Sequence, residues 1–304
     1  MITKTKLETR TLEVPGATLT YDIRRSGSTR EPPLMLIGSP MAAAGFGTLA
    51  GFFPDRTVVT YDPRGSERSA RTDGALQNTV EEHADDLHRV IQAAGLGPVD
   101  LFASSGGAVN ALALVAVHPE DVRILVAHEP PDAALLPDAE AALAAAHDIH
   151  ETYLRSGFGA GMAKFIALSG LKGEIPADWS ARPAPDPAMF GLPTEDDGSR
   201  NEPLMGLNLL SCAAYLPDFD AVRAAPTRIV LAAGAESEGE MANRGAHAVG
   251  ERLGVKPVVF PSHHGGFLGG EYGWSGQPEA FAAKLREVLA VASQIGWQSG
   301  SSAG

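Results

Sequence analysis

Cysteine is almost missing from this sequence: Cys212 stands alone among 304 residues. One thiol excludes an intrachain disulfide framework and a cysteine-rich metal centre. Long apolar runs are missing as well, so no segment reads as a membrane-spanning helix. The first ten residues, Met1 to Arg10, lack the apolar stretch of a signal peptide. Positive charge is scarce beside negative: 24 Lys and Arg against 37 Asp and Glu give a formal charge of −13, spread along the chain. Such a surface repels phosphate backbones. These shortages predict a soluble, cytoplasmic protein with a small-molecule substrate and neither nucleic acid nor membrane as partner, and they leave a homodimer open.

What is present is an alternation of short apolar runs with amphipathic segments. Residues 8–24 read as two strands about the turn Pro15-Gly16. The continuous apolar runs 33–38 and 57–62 read as strands covered on both faces. Further strands are expected at 98–103, 123–128, 228–233 and 256–260. Helices are expected at 79–94, opened by a Thr79/Glu82 capping box and stopped by Gly95, and at 106–118, 240–253 and 277–293. This order predicts an α/β fold with a doubly wound, mostly parallel sheet and an antiparallel first pair. Residues 132–205 interrupt it with an Ala-rich helical segment, 139–154, and a loop dense in proline and acid around 181–187. An insertion leaving the carboxyl ends of the strands is expected to form a lid over the site. The core is then 1–131 with 206–295, and the Gly/Ser-rich tail 296–304 is expected to be disordered.

The densest chemical signal is Ala103-Ser-Ser-Gly-Gly107, at the junction of an apolar strand and a helix. A strand that reverses into a helix so quickly strains its apex residue and needs small neighbours two positions away on either side. Ser105 occupies that apex, whereas Ser104 would put Phe102 at a small-residue position. The turn raises a hydroxyl beside a helix N-terminus whose free N–H groups can steady a negative oxygen.

Together with three further motifs, this turn resembles the α/β-hydrolase superfamily over residues 8–293. Gly38-Ser-Pro40 stands where that family has its oxyanion loop, with Ile37 in place of the usual histidine. Asp62-Pro-Arg-Gly-Ser66 resembles its Asp-x-Arg-Gly turn. Phe260-Pro-Ser-His-His-Gly-Gly-Phe267 resembles the late loop that carries the catalytic histidine. The resemblance implies an α/β-hydrolase fold with an inserted helical lid. It also implies a cofactor-free serine hydrolase using Ser105 as nucleophile and His264 as base, with the backbone N–H groups of Ser39 and Gly106 as the oxyanion hole. No metal is expected, since His147 and His150 alone make a poor site.

The acid stays open between two residues. Many relatives carry Asp three positions after the glycine that ends the penultimate strand, but Ser237 fills that slot here. Glu236 lies one residue earlier and is preferred for its place in the family order. Glu129, in His128-Glu-Pro-Pro131, is its rival, because some lipases of the superfamily take their acid from that earlier strand end. Asp132 and Glu238 are outsiders. Arg64 is expected to be structural, bonding loop carbonyls. The expected substrate is an ester or lactone of a small to medium apolar molecule, held by Met41, Phe46, Phe190 and Phe267. Carbon–carbon bond hydrolysis, perhydrolysis and a noncatalytic ligand-binding role are the alternatives, while Ser105 disfavours the epoxide hydrolases and dehalogenases that need a carboxylate at the elbow.

Overall fold

The computed structural model describes residues 6–27 and 31–298. Its strands are β1 (Lys6–Val14), β2 (Ala17–Arg25), β3 (Leu34–Ile37), β4 (Val58–Asp62), the two-residue β5 (Ala70–Arg71), β6 (Val99–Ser104), β7 (Val122–His128), β8 (Arg228–Gly234) and β9 (Val258–Phe260). They form one sheet in the order β1-β2-β4-β3-β6-β7-β8-β9, with β5 against β2. β1, β2 and β5 are antiparallel to their neighbours, and pairing is parallel from β4 through β9. The expected α/β architecture is therefore the observed one.

Alternation along the central strands sends side chains to two separate apolar layers. Met35, Ile37, Leu101 and Ala103 enter one layer with α2 (Val80–Ala94) and α3 (Gly106–Val117). Leu34, Leu36, Phe102, Ile124 and Val126 enter the other with α1 (Gly47–Gly51) and α8 (Pro278–Gln298). The capping box on α2 is formed as the sequence requires: Thr79 Oγ1 accepts from Glu82 N–H at 3.1 Å and Glu82 accepts from Thr79 N–H at 2.8 Å.

A third apolar cluster belongs to the insertion. It gathers α4 (Ala139–Ser169), the π-helical turn Pro203–Asn208 and α5 (Leu209–Ala214) around Ile149, Tyr153, Met205 and Leu209. α4 outruns the expected helix, 139–154, and is broken at Gly157 (φ 83°, ψ −177°), where a side chain would strike Asp196. The cluster extends past the expected boundary at 205 to Ala213. α6 (Phe219–Ala224) and α7 (Met241–Leu253) complete the helices. α8 carries regular structure to Gln298, so the first residues of the expected disordered tail are helical; residues 299–304 lie outside the described ones.

Arg64 is buried and structural, but its partners are carboxylates rather than loop carbonyls. It donates to both oxygens of Asp86 at 2.7 Å and to Glu82 at 2.7 Å. Asp86 is fully buried, and burial holds its carboxyl above the ordinary range despite the guanidinium beside it. Such a pair adds little beyond an apolar replacement, yet losing one partner strands a buried charge. Arg64→Met should therefore destabilise the fold by about 3–5 kcal/mol in urea titrations, and adding Asp86→Leu should recover most of the loss. A double variant no more stable than Arg64→Met would contradict this account.

Candidate active site

Ser105 stands between the last residue of β6 and the first of α3, with φ 57° and ψ −133°. Holding a non-glycine residue there costs about 1–3 kcal/mol and requires the surroundings to over-determine it. They do: Ser105 N–H donates to the His128 carbonyl at 2.9 Å and the Ser105 carbonyl accepts from Ala108 N–H at 2.8 Å. The small residues that follow are needed by contact. A Cβ on Gly106 would lie 2.7 Å from the Ser39 carbonyl oxygen, and one on Gly107 would lie 2.8 Å from the Gly38 Cα. The Gly38-Ser39 turn after β3 is thus pressed against the N-terminus of α3, which brings Ser39 and Gly106 together as the sequence motifs require.

The loop after β9 separates its two histidines. His263 is tied into the loop, with Nε2–H donating to Ser275 O at 3.2 Å and Nδ1 accepting from Gly265 N–H at 3.1 Å. His264 instead turns to the sheet and donates Nδ1–H to Glu129 Oε2 at 2.7 Å. That bond leaves His264 Nε2 as the free lone pair of the neutral ring. The His264 side chain is 38% exposed, while Glu129 is at 0%, so the pair has one wet and one dry end.

Glu129, one residue past β7, has φ 47°, and its N–H donates to the Ala232 carbonyl of β8 at 3.0 Å. Its Oε1 accepts from Gly234 N–H at 2.8 Å, from Asn243 Nδ2 at 3.2 Å and from the Ser237 hydroxyl. Burial alone would raise this carboxyl, but the hydrogen bond from His264 and the Ser237 hydroxyl work against it, and the carboxyl is held far below the usual carboxylate range. Glu129 therefore stays ionised.

Glu236, the preferred acid on sequence grounds, does not meet His264. It is exposed, accepting from Gln277 Nε2 at 2.9 Å and from Ser262 Oγ at 3.4 Å, with its N–H on Ser262 O at 3.0 Å. Pairing of that turn with the β9 loop keeps it outside. Glu238 is also exposed. Ser237 and Asn243 were not anticipated as supports for Glu129. The available signal was Ser237 itself, a hydroxyl in the slot where relatives carry an acid: unable to serve as the acid, it can still donate to one.

Beneath His264 lies His128, fully buried, with ring centroids 5.9 Å apart and planes 25° apart. Its Nδ1 pairs with Ser104 Oγ at 3.0 Å, and the two residues are register partners on β6 and β7. Ser105 and Glu129 are thus the next residues on two adjacent strands. Burial pushes His128 down to about 4, so it is a neutral floor for the site. His128, Glu129 and His264 also bring ligand-type atoms within 4.8 Å of one another.

The apolar substrate candidates fare worse. Phe46 and Phe267 are stacked at 5.3 Å inside the core with Phe102 and Phe281, so their faces are used in packing. Met41 packs partly buried on the same cluster, and Phe190 is exposed on a 3-10 turn of the insertion. Aromatic and thioether side chains look alike in sequence whether they fill a core or line a pocket. On the insertion side, Cys212 of α5 approaches the elbow: its Sγ would be 3.4 Å from a Cβ on Gly106. Asp132 is fully buried and pushed up to about 7 by burial.

A family model described as the alpha/beta hydrolase fold matches residues 46–169. A Bacillus subtilis (strain 168) protein described as uncharacterized hydrolase YraK is 30% identical over 263 residues, covering 84% of this chain and 89% of its own. The chain belongs to the α/β-hydrolase superfamily. A thermophilic esterase from Thermogutta terrifontis is similar in structure, with TM-score 0.64 and 19% identity over 94% of this chain and 99% of its own. A structure from a study of Nitrososphaera gargenis carboxylesterases gives TM-score 0.63 and 15% identity over 94% and 100%. This α/β hydrolase has, among its described residues, no helix long and apolar enough to cross a membrane.

Two predictions follow from the carboxylates. Glu129→Gln should lower hydrolytic turnover by about 10⁴-fold, as for a triad acid replaced by its amide, while Glu236→Gln should leave it at the wild-type level; steady-state rates on one activated ester decide between them. The folded-state carboxyl of Asp132 lies above its unfolded value of 3.8. The folded state therefore holds an extra proton between about pH 4 and 7, and stability attributable to this group falls as pH rises through that window. Asp132→Asn should flatten the decline in melting temperature over that range.

Proposed function

We propose that this α/β hydrolase is a serine esterase that cleaves a small ester or lactone through an acyl-enzyme at Ser105. The observation that carries the reading is the His264–Glu129 hydrogen bond, which commits Nδ1 and leaves Nε2 to act as a base. In this reading His264 takes the Ser105 hydroxyl proton as Oγ attacks the carbonyl carbon, and Glu129 steadies the imidazolium that forms. The negative oxygen of the tetrahedral intermediate accepts from the N–H groups of Gly106 and Ser39. His264 then protonates the departing alcohol, leaving an acyl group on Ser105. Water, deprotonated by the same imidazole, attacks that ester and frees the acid.

Two features support an activated serine. The strained apex conformation of Ser105 is one that a purely structural serine has no need to keep. An ionised glutamate fully withdrawn from water and aimed at a half-buried histidine is the other. The esterase structures that resemble this chain fit the same reading. The insertion 132–205, together with α5, is the cap over this site.

Intact-mass labelling with a small fluorophosphonate tests the proposal. One adduct on the wild type and none on Ser105→Ala is the expected result, with Ser105→Ala retaining the wild-type circular dichroism. A folded wild-type protein that takes no adduct would overturn it in favour of a ligand-binding role.

A further inference from the structure

We propose that Asp132 anchors a substrate subsite for a protonated amine beside the Ser105 elbow. The inference deepens the proposed esterase function and rests on Ser105 being the nucleophile of this site.

The first observation is that neither carboxylate oxygen of Asp132 has a hydrogen-bond partner, although the residue is fully buried. Position makes this unusual. Asp132 is the N-cap residue of the turn Ala133–Leu135, where an aspartate ordinarily turns back to accept from the N–H groups that follow. Its side chain makes no such bond. Its backbone is fully engaged: Asp132 N–H donates to Pro130 O at 2.9 Å, and its carbonyl accepts from Leu135 N–H at 3.1 Å. Gly245 of α7 holds the same stretch from behind, since a Cβ there would lie 2.1 Å from Pro130 O and 3.1 Å from Asp132 N. A pinned backbone and an unused cap leave the carboxyl with no partner in its own turn.

The second observation is where that carboxyl acts. It lies within electrostatic reach of Cys212 and Tyr215, at the end of α5 and just beyond it. Cys212 is the residue whose Sγ closes over Gly106. Asp132 is therefore three residues from the carboxylate that holds His264 and on the α5 side of the oxyanion turn. No lysine, arginine or histidine among the described residues pairs with it. Neither oxygen touches solvent, so bulk water is not its standing partner. A buried carboxylate without a partner is retained at a cost to stability, and such costs concentrate where a ligand supplies what the fold withholds.

Once the carboxyl is ionised, above about pH 7, an ammonium group matches this demand in charge and in hydrogen-bond sense, because it brings up to three donors to two acceptors, and its arrival favours that ionised form. A neutral hydroxyl brings one. Entry requires α5 to give way, and α5 is carried on the π-helical turn Pro203–Asn208, a wide and irregular geometry often found at functional sites. The net charge of −13 draws cations to the surface in the same sense.

The test is titration calorimetry with n-butylammonium chloride and with n-butanol on wild type, Ser105→Ala and Asp132→Asn. Butylammonium should bind wild type and Ser105→Ala alike, at least about tenfold more tightly than butanol, and Asp132→Asn should lose that preference. In parallel, kcat/KM is compared for two nitrophenyl esters of equal length, one acyl chain ending in ammonium and the other in methyl. The ratio should favour the ammonium ester in wild type and fall at least about tenfold in Asp132→Asn. Melting curves establish that Asp132→Asn is folded. Equal binding of both probes, or an ammonium preference that survives Asp132→Asn, would overturn the subsite. Absence of a fluorophosphonate adduct would overturn the esterase reading instead, and the calorimetry would still decide the subsite.

Discussion

One buried carboxylate governs the geometry at the carboxyl end of this sheet. Glu129 sits where solvent cannot stabilise its charge, and an isolated ion there would be prohibitive. Four donors make it tolerable: Gly234 N–H, Ser237 Oγ, Asn243 Nδ2 and His264 Nδ1. They come from the end of β8, the turn after it, α7 and the loop after β9. Each of those segments must be in place before the charge is satisfied, so the carboxylate ties four separate parts of the chain to the end of β7. The orientation of His264 is one outcome of that convergence.

Much of the fold was legible because it depends on patterns that survive in one dimension. Alternating apolar strands, the Thr79/Glu82 box and the small residues around Ser105 each state a local constraint that the three-dimensional structure keeps. His264 was legible for a related reason, since loop order and flanking glycines travel with it. The acid was not. Spacing after Gly234 favoured Glu236, but whether a side chain reaches an imidazole depends on which strand end lies nearest, and β7 and β8 are neighbours only through the sheet order. Ser237, in the position where an acid was expected, donates to Glu129 instead. Phe46 and Phe267 were misread because apolar type says nothing about which side of a core wall a ring occupies. Arg64 was assigned the right kind of role with the wrong partners, Asp86 and Glu82 lying 22 and 18 residues along the chain.

The insertion and the core are joined through chemistry as well as through chain. The segment after β7 supplies Glu129 to the core and, three residues later, Asp132 towards α5. One short stretch thus serves the histidine on one side and packs towards α5 on the other, and Gly245 lets α7 lie close against it. A neutral His128 lies beneath, ringed by Phe102, Phe260, Phe267 and Phe281.

The register of β6 on β7 has a mechanical consequence. Ser104 and His128 face each other across the ladder, so Ser105 and Glu129 leave the sheet side by side from its middle. The separation of their backbones is set by the strand spacing of a central parallel pair. His264 departs from β9, the outermost strand of that edge. Of the three residues, two leave the sheet from adjacent central strands and one from beyond its rim strand, and the hydrogen bond that His264 donates to Glu129 is what ties the rim to the centre.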